Sequence, residues 1–323
     1  MPMQQMLLGG GTSPVVEGQK SYTYPGSYNW TVPAGVTSVS VVCIGGGACG
    51  PTSPLAEGGA GGALAYGNNI SVTPGSTIAV VVGAGAQMNS YRNSVTVAGA
   101  STFNGASVLS AGGGTGGGIG GTSSGSARDG GGDGGNANFG YASGWGYYYG
   151  NGGAGAGGYN GDGGDGGSSS STTGSAGSSD AGGGGAASGD SDYTGGAGGG
   201  SSVYGTSGNE PENNNAKTTG GSGGTQNSSG KGRAGRCGQG NWNHNSADTG
   251  VSIAGRPQTY LGGEPPTNPG YYYFGAGGGA DSNSSGTTNV REGGRGAVRI
   301  IWPGDTRSFP STNVDGDYQN DSA

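Results

Sequence analysis

The sequence is poor in the side chains from which active sites and large cores are built. Its 323 residues include one histidine, three cysteines and four phenylalanines, and 29% of them are hydrophobic. This amount of apolar side chain is enough for one modest core. No nucleophile motif surrounds a serine, and no glycine run ends in the Lys-Ser/Thr of a phosphate-binding loop. We therefore expect no enzyme and no cofactor, with a carboxylate pair for glycan cleavage left as an alternative.

Positive charge is scarce as well. The chain has 12 lysine and arginine residues against 19 aspartate and glutamate residues, a formal net charge of -7 and an isoelectric point near 4.5. Phosphate binding requires a concentrated positive face, so no nucleic-acid partner is expected. The one basic cluster, from Lys231 to Arg236, is interpreted as a solvated turn.

Long apolar runs are also absent. No stretch approaches the ~20 apolar residues that span a bilayer, so we expect no membrane insertion. The opening MPMQQMLLGGG has no basic residue before Lys20 and only a short apolar part, unlike a secretion signal, which predicts synthesis in a cytoplasm. Cys43, Cys49 and Cys237 match neither a zinc site nor a disulfide framework. We interpret them as free buried thiols, with a Cys43–Cys49 bridge as the alternative.

Glycine, in contrast, supplies 86 residues. It is densest from about Gly112 to Gly200, and between Gly152 and Gly167 it recurs at every third position. Three residues per turn is the period of an extended left-handed helix, and a residue without Cβ lets neighbouring backbones come close enough to hydrogen-bond. Collagen fits poorly because no proline lies between Pro74 and Pro211. We interpret the block as packed polyglycine-II-type helices, with a flexible linker as the alternative.

Strand patterns flank this glycine block. From Ser21 to Val82, β-branched and aromatic residues alternate with small ones around Pro-Gly turns, and Ser94 to Ala111 adds one or two strands. Near the C-terminus, GGRGAVRIIWPG contains a further strand that we expect to close the sheet begun near Ser21. The predicted fold is all-β, with a small antiparallel β-sandwich core and a large inserted glycine-rich region of polyglycine-II-type helices and loops.

Domain boundaries follow from these changes in composition. We predict an attachment peptide at 1–20, a β-sandwich core at 21–111, a glycine-rich insertion with exposed loops at 112–290, a closing strand of the core at 291–304 and a C-terminal tail at 305–323. Pairing of the first and last strands across so long an insertion favours a rigid insertion, because a flexible one would add loop-closure entropy.

Three stretches carry a resemblance to a known family. They are YNWTVPAGVTSVSVVCIGGG, GGAGGALAYGNNISVTPGSTIAVVVGAGA and GGRGAVRIIWPG. Together they resemble the glycine-rich domain of bacteriophage tail fibre and adhesin proteins, and the ending IIWPGDTRSFPSTNV looks like that of fibre-like proteins in tailed phages of marine cyanobacteria. The resemblance implies a virion protein on the tail or capsid exterior, often host-recognising, in which strands or polyglycine helices support variable loops. It implies no catalytic residue, and the trimeric habit of such fibres implies a homo-oligomer.

Aromatic clusters interrupt the glycine pattern and are our candidate receptor-binding residues. Aromatic rings on loops give a large contact area at a small entropic cost. The candidates are Trp145, Tyr147, Tyr148, Tyr149, Trp242, Tyr271, Tyr272 and Tyr273. Their expected partner is a host surface glycan or an outer-membrane protein. The alternative is that the rings cap the glycine bundle.

An apolar tip opens the chain, formed by Met1, Met3, Met6, Leu7 and Leu8. Such side chains on an otherwise polar chain require a partner that covers them. We interpret them as an attachment peptide that binds other virion proteins, with an ordinary frayed terminus as the alternative.

Two classes of function stay open at this point. The first is a tail fibre or adhesin that contacts the host surface. The second is a structural role, either as a capsid decoration or fibre-shaft protein of a virion or as a non-phage extracellular filament protein.

Paired aspartates also occur within the glycine block, at Asp129 and Asp133 and at Asp162 and Asp165. Calcium takes several oxygen ligands from carboxylates and backbone carbonyls, and GDGGDGG resembles a fragment of the glycine-aspartate repeats that bind it. We expect no metal site and interpret these aspartates as solvated turn residues. The alternative is that Asp162 and Asp165 are calcium ligands.

A calcium site at Asp162 and Asp165 predicts that EDTA lowers the midpoint of thermal unfolding, because an ion bound only to the native state stabilises that state. Calorimetry with EDTA, and with EDTA already saturated with calcium as the control, measures the effect. An unchanged midpoint would remove calcium from consideration.

Overall fold

Nine β-strands form two antiparallel sheets in the part of the chain that the computed structural model describes. That part comprises residues 17–49, 58–86, 97–116, 118–137, 151–168, 173–178, 181–184, 198–201, 203, 274–278 and 293–310. The strands are β1 (Gly18–Tyr22), β2 (Gly26–Thr31), β3 (Ser38–Ile44), β4 (Leu64–Ser71), β5 (Thr77–Val82), β6 (Ser101–Phe103), β7 (Leu109–Ala111), β8 (Ser123–Ser124) and β9 (Ala297–Trp302). No helix occurs in these ranges, and hence none that could cross a membrane.

The first sheet has the strand order β1-β9-β3-β4 and the second β2-β5-β6-β7-β8. β9, the last strand, lies between β1 and β3 and pairs antiparallel with both. The predicted all-β fold and the closing role of the C-terminal strand are therefore confirmed. β1 begins at Gly18 rather than near Ser21, inside the range expected to be an attachment peptide.

The main core lies between the two sheets. β3 contributes Val39, Val41 and Cys43 to it, because alternate residues of a strand point to the same face. The second sheet contributes Trp30, whose ring centroid lies 6.3 Å from that of Phe103. Burial raises the pKa of the Cys43 thiol well above its usual value.

Cys43 and Cys49 are both buried, and neither forms a disulfide bond. The interpretation as free buried thiols is thus confirmed for these two residues, and the alternative of a bridge between them is not. Cys237 lies outside the described residues.

A second apolar cluster covers the outer face of the first sheet. The alternate residues of β3, Val42 and Ile44, belong to it together with Leu64 of β4. Burial on both faces explains why β3 reads as VSVVCI, a run that is apolar except for Ser40, instead of an alternating pattern. From outside the sheet, this cluster receives Tyr159, Val203, Phe274 and Phe309.

Tyr159 connects the glycine-rich region to this outer face. Its ring stacks on that of Phe309 at a centroid distance of 5.8 Å and an interplanar angle of 17°, and it lies 5.7 Å from the ring of Tyr66. The side chain is buried at the point where the glycine segments 151–158 and 161–168 meet. Each of those segments carries few apolar side chains, so this ring gives them an apolar contact with the sheet.

Arg299 makes a second connection on the same face. It lies on β9 and is buried. Its Nη1 donates to the carbonyl of Val203 at 3.2 Å, and its Nη2 donates to Oε1 of Gln19 on β1 at 2.5 Å. The guanidinium thereby joins residue 203, which follows a glycine segment, to two strands of the first sheet.

Replacement of Tyr159 by alanine is expected to lower the free energy of unfolding by about 3–5 kcal/mol, the range for removal of a buried aromatic ring. Tyr159→Phe keeps the stacked ring, so we expect it to cost about 1 kcal/mol or less. Denaturant unfolding of both variants measures the difference. A loss of stability in Tyr159→Ala no larger than in Tyr159→Phe would contradict the anchoring role.

Candidate functional site

The glycine segments continue the strands beyond one end of the sandwich. Seven segments are joined directly to a strand: 45–49 follows β3, 58–63 precedes β4, 83–86 follows β5, 97–100 precedes β6, 112–116 follows β7, 118–122 precedes β8 and 293–296 precedes β9. Neighbouring antiparallel strands run in opposite directions, so a segment that follows one strand lies beside a segment that precedes the next. The glycine segments therefore all extend from the same end.

Successive N–H groups of one segment donate to different neighbouring segments. Gly45 donates to the carbonyl of Ala63 at 2.9 Å, Gly46 to that of Gly99 at 3.0 Å and Gly47 to that of Gly294 at 2.7 Å. Ala48 then returns to the first neighbour and donates to Ala60 at 2.8 Å. In a β-ladder the bonds of one edge go to a single partner strand. Along segment 45–49, by contrast, the N–H groups return to the same neighbouring segment only at every third residue.

Segment 131–137 repeats this three-residue pattern. Gly132 and Gly135 donate to segment 151–158, at Gly158 (2.8 Å) and Gly155 (2.9 Å). Gly134 and Ala137 donate to segment 118–122, at 2.9 and 2.8 Å. Two of the three rows of N–H groups on this segment thus bind carbonyl groups of neighbouring segments.

The third row of N–H groups donates to side-chain oxygens instead of main-chain carbonyls. The N–H of Asp133 donates to Oδ1 of Asp162 at 2.8 Å, and the N–H of Asn136 donates to Oδ1 of Asp165 at 2.7 Å. The side chains of Asp133 and Asn136 repeat this role toward the next segment, where Asp133 Oδ1 accepts from the N–H of Ser123 at 2.8 Å and Asn136 Oδ1 from that of Gly120 at 3.0 Å. We call Asp133, Asn136, Asp162 and Asp165 the Asx ladder.

The candidate calcium ligands are therefore members of this ladder. One carboxylate oxygen of Asp162 and one of Asp165 is bound to a backbone N–H. In the described part of the chain no group of three potential metal-ligating side chains comes together, and the calcium hypothesis stays a prediction for the EDTA measurement. Sequence reasoning missed Asn136. Its signal is the shared three-residue spacing of Asp133-x-x-Asn136 and Asp162-x-x-Asp165.

Close approach of the segments leaves no room for side chains at most interior positions. A Cβ on Gly155 would lie closer than 3.0 Å to the carbonyl of Gly182, and one on Gly134 would do the same with that of Gly61. Backbone atoms cannot rotate away as a flexible side chain can. Glycine is required at these positions by contact with the next segment.

The segments end together on the side away from the strands, which we call the distal end. Residues near their ends are hydrogen-bonded to one another: Ala48 to Ala60 at 2.8 Å, Gly293 to Ala86 at 3.0 Å and Gly152 to Gly167 at 3.0 Å. The described residues that border ranges 50–57, 87–96, 138–150, 169–172 and 279–292 consequently lie at this one end.

The candidate receptor-binding residues all lie outside the described residues. For Trp145, Tyr147, Tyr148 and Tyr149, the nearest described residues on the two sides are Ala137 and Asn151, both at the distal end. Tyr271, Tyr272 and Tyr273 directly precede Phe274, which packs on the outer face of the first sheet at the opposite end of the glycine segments. Trp242 lies between Val203 and the same Phe274 along the chain. The described residues that flank the two tyrosine clusters along the chain thus lie at opposite ends of the glycine segments.

Two large apolar side chains of the described residues are exposed at the distal end. Val97 is 70% exposed and Ile119 is 65% exposed. Ile119 closes the turn that joins two glycine segments, where its carbonyl accepts from the N–H of Thr115 at 2.9 Å. The sequence analysis placed Val97 in the predicted strand region Ser94–Ala111, whereas the first strand there begins at Ser101. It did not single out Ile119, because an isolated apolar residue in a glycine-rich stretch has no pattern around it.

The opposite end of the sandwich receives the N-terminal part of the chain. Gly18 pairs there with Trp302, and Nη1 of Arg307 donates to the carbonyl of Gly18 at 2.6 Å. Burial lowers the pKa of Arg307, and the carboxylate of Glu17 opposes this shift. The attachment candidates Met1, Met3, Met6, Leu7 and Leu8 precede this point and lie outside the described residues.

Comparison with known proteins agrees with the glycine-rich character of the chain. The family described as the glycine-rich domain matches residues 22–241. The match contains β2 to β8 and the glycine segments between them, and β9 lies beyond it. No curated protein matches the chain.

Replacement of Gly155 by alanine is expected to lower the free energy of unfolding by about 3 kcal/mol or more, because its Cβ would overlap the Gly182 carbonyl. Gly105→Ala is the matched control. Gly105 has φ 86° and open space where a Cβ would lie, so only the left-handed strain of about 1–2 kcal/mol is expected. Denaturant unfolding compares the two variants. Equal losses would contradict the requirement for contact between segments.

Proposed function

The chain belongs to the glycine-rich domain family, and we propose that it is a structural protein of a tailed-phage virion. In this proposal it is a tail fibre or adhesin-type protein whose distal end contacts the host surface. It has no catalytic role, it is synthesised in the host cytoplasm, and it ends up on the exterior of the virion, on the tail or the capsid.

The separation of the two ends of the molecule is the observation that carries the proposal. The chain enters β1 at Gly18, at one end of the sandwich, whereas the glycine segments extend from the other end and terminate together. An adhesin needs an attached end and a free end that reaches the host. Residues 1–16 would attach the protein to other virion proteins through Met1, Met3, Met6, Leu7 and Leu8.

The distal end supplies the contact surface in this proposal. Binding residues concentrate on connecting segments held by a rigid scaffold. The described residues that border five ranges of the chain lie at this end, and one of those ranges holds Trp145, Tyr147, Tyr148 and Tyr149. Val97 and Ile119 expose apolar surface at the same end. A host surface glycan or an outer-membrane protein is the proposed partner, since aromatic rings stack on sugars and bury against protein with little loss of entropy.

We further propose that the glycine segments pack as polyglycine-II-type helices. Their N–H groups return to the same neighbour after three residues, as a helix with three residues per turn requires. The glycines at every third position from Gly152 to Gly167 agree with that period. A homotrimer is the proposed oligomeric state, from the resemblance to trimeric fibres.

A purely structural role is the second candidate. It is favoured by the dense main-chain bonding of the glycine segments and by the contacts that exclude side chains at Gly134 and Gly155. Such packing would make a stiff fibre shaft or capsid decoration, or an extracellular filament, without any host contact at the distal end.

Triple replacement of Tyr147, Tyr148 and Tyr149 by serine tests the adhesin proposal. We expect the purified variant to bind host cells at least tenfold more weakly, because truncation of an aromatic hot-spot residue at an interface costs about 2 kcal/mol or more and 1.4 kcal/mol is tenfold. Triple replacement of Tyr271, Tyr272 and Tyr273, the second candidate cluster, is the comparison. Because these residues directly precede Phe274, which lies at the other end of the glycine segments, we expect this variant to bind within about twofold of wild type. Pull-down of labelled protein with host cells measures both.

Three results would count against the proposal. Unchanged binding of the first variant would remove its tyrosines from the contact surface. A fall in its thermal midpoint together with the loss of binding would favour the capping interpretation of these rings. Absence of wild-type binding to host cells would favour the structural role.

A further inference from the structure

The Asx ladder occupies positions where another glycine segment would otherwise bind. Segment 131–137 directs two rows of N–H groups to carbonyls of segments 151–158 and 118–122. Its third row, the N–H groups of Asp133 and Asn136, is accepted by the carboxylates of Asp162 and Asp165. If the third row followed the pattern of the other two, its acceptors would be main-chain carbonyls of a further glycine segment.

The ladder extends over a second segment in the same way. The N–H groups of Gly120 and Ser123, three residues apart, are accepted by Asn136 Oδ1 and Asp133 Oδ1. Ser123 also donates its hydroxyl to Asp133 Oδ1 at 3.0 Å. Side-chain oxygens therefore replace main-chain carbonyls on two adjacent segments, at the same three-residue interval.

This row lies at the surface of the molecule. Asn136 and Asp162 are exposed, and Asp133 and Asp165 are partly exposed. A surface row of unused N–H groups would be a template for another chain, as it is at the open edge of a β-sheet. Edges of sheets are protected by charged side chains, by proline, and by helices or loops that cover them.

We infer that the Asx ladder closes this face of the glycine segments against a further glycine segment, including one from a second copy of the chain. The N–H groups of the row already have acceptors within the chain, so a glycine carbonyl from another segment would have to break one hydrogen bond in order to form another, with little net gain. The three carboxylates also place negative charge on the face of a chain whose net charge is already -7. The inference does not depend on which partner binds the distal end.

The double variant Asp162→Ala/Asp165→Ala removes both carboxylate acceptors of the third row. It leaves the N–H groups of Asp133 and Asn136 without their acceptors, so amide exchange in residues 131–137 is expected to become roughly five- to tenfold faster. The matched control is Asp162→Asn/Asp165→Asn. It removes the same two charges but keeps an amide oxygen at each acceptor position.

Sedimentation velocity over a range of protein concentrations is the deciding measurement, with exchange detected by mass spectrometry. We expect the alanine variant to form assemblies larger than the wild type, with an association constant roughly tenfold or more above that of the asparagine variant. The asparagine variant is expected to sediment as the wild type does.

Two results would overturn the inference. Wild-type sedimentation of the alanine variant would mean that the exposed row does not recruit a segment, and equal association of both variants would mean that charge alone prevents it. If the alanine variant fails to fold, Asn136→Ala removes only the acceptor for Gly120, and the same comparison with the wild type decides.

Discussion

The hydrogen bond between main chains of different glycine segments is the interaction on which the rest of the structure depends. Each interior segment directs successive N–H groups to different neighbours, so that Gly45, Gly46 and Gly47 bind three separate segments. Such contact requires that no Cβ stands between the backbones, which is why a side chain on Gly155 has no space. The shortage of apolar residues is therefore compensated by polar bonds of the backbone, each modest in its net contribution but numerous.

A few large side chains connect this main-chain network to the β-sandwich. Tyr159, Val203 and Phe274 pack on the outer face of the first sheet, and Arg299 binds the carbonyl of Val203. Because seven segments also continue directly from strands, the sandwich determines where each segment begins. The result is a molecule with its N-terminal entry at one end and the ends of its glycine segments at the other. That separation agrees with a protein that is held at one end and binds at the other, as we propose.

Side chains within the glycine segments act mainly on the backbone. Asp162 and Asp165 look in sequence like a fragment of a calcium repeat, yet each accepts an N–H group from segment 131–137. Glycine itself offers a ligand little beyond its main chain, and most of that is bound to other segments. Functional chemistry is therefore expected where aromatic and apolar residues interrupt the pattern, as Val97 and Ile119 do at the distal end.

The sequence by itself determined the all-β class, the apolar strand at Ser38–Ile44 and the return of the C-terminal strand at Ala297–Trp302 to the first sheet. These follow from local alternation and from β-branched runs, which a single stretch of chain displays. Only the tertiary structure decided that Tyr159 anchors the glycine segments, that the N–H of Asn136 donates to Asp165, and that the described residues flanking the two tyrosine clusters lie at opposite ends of those segments. Each of these depends on which glycine segments lie side by side. Glycine has no side chain to specify its neighbour, so that choice is made by the strands and anchors around it.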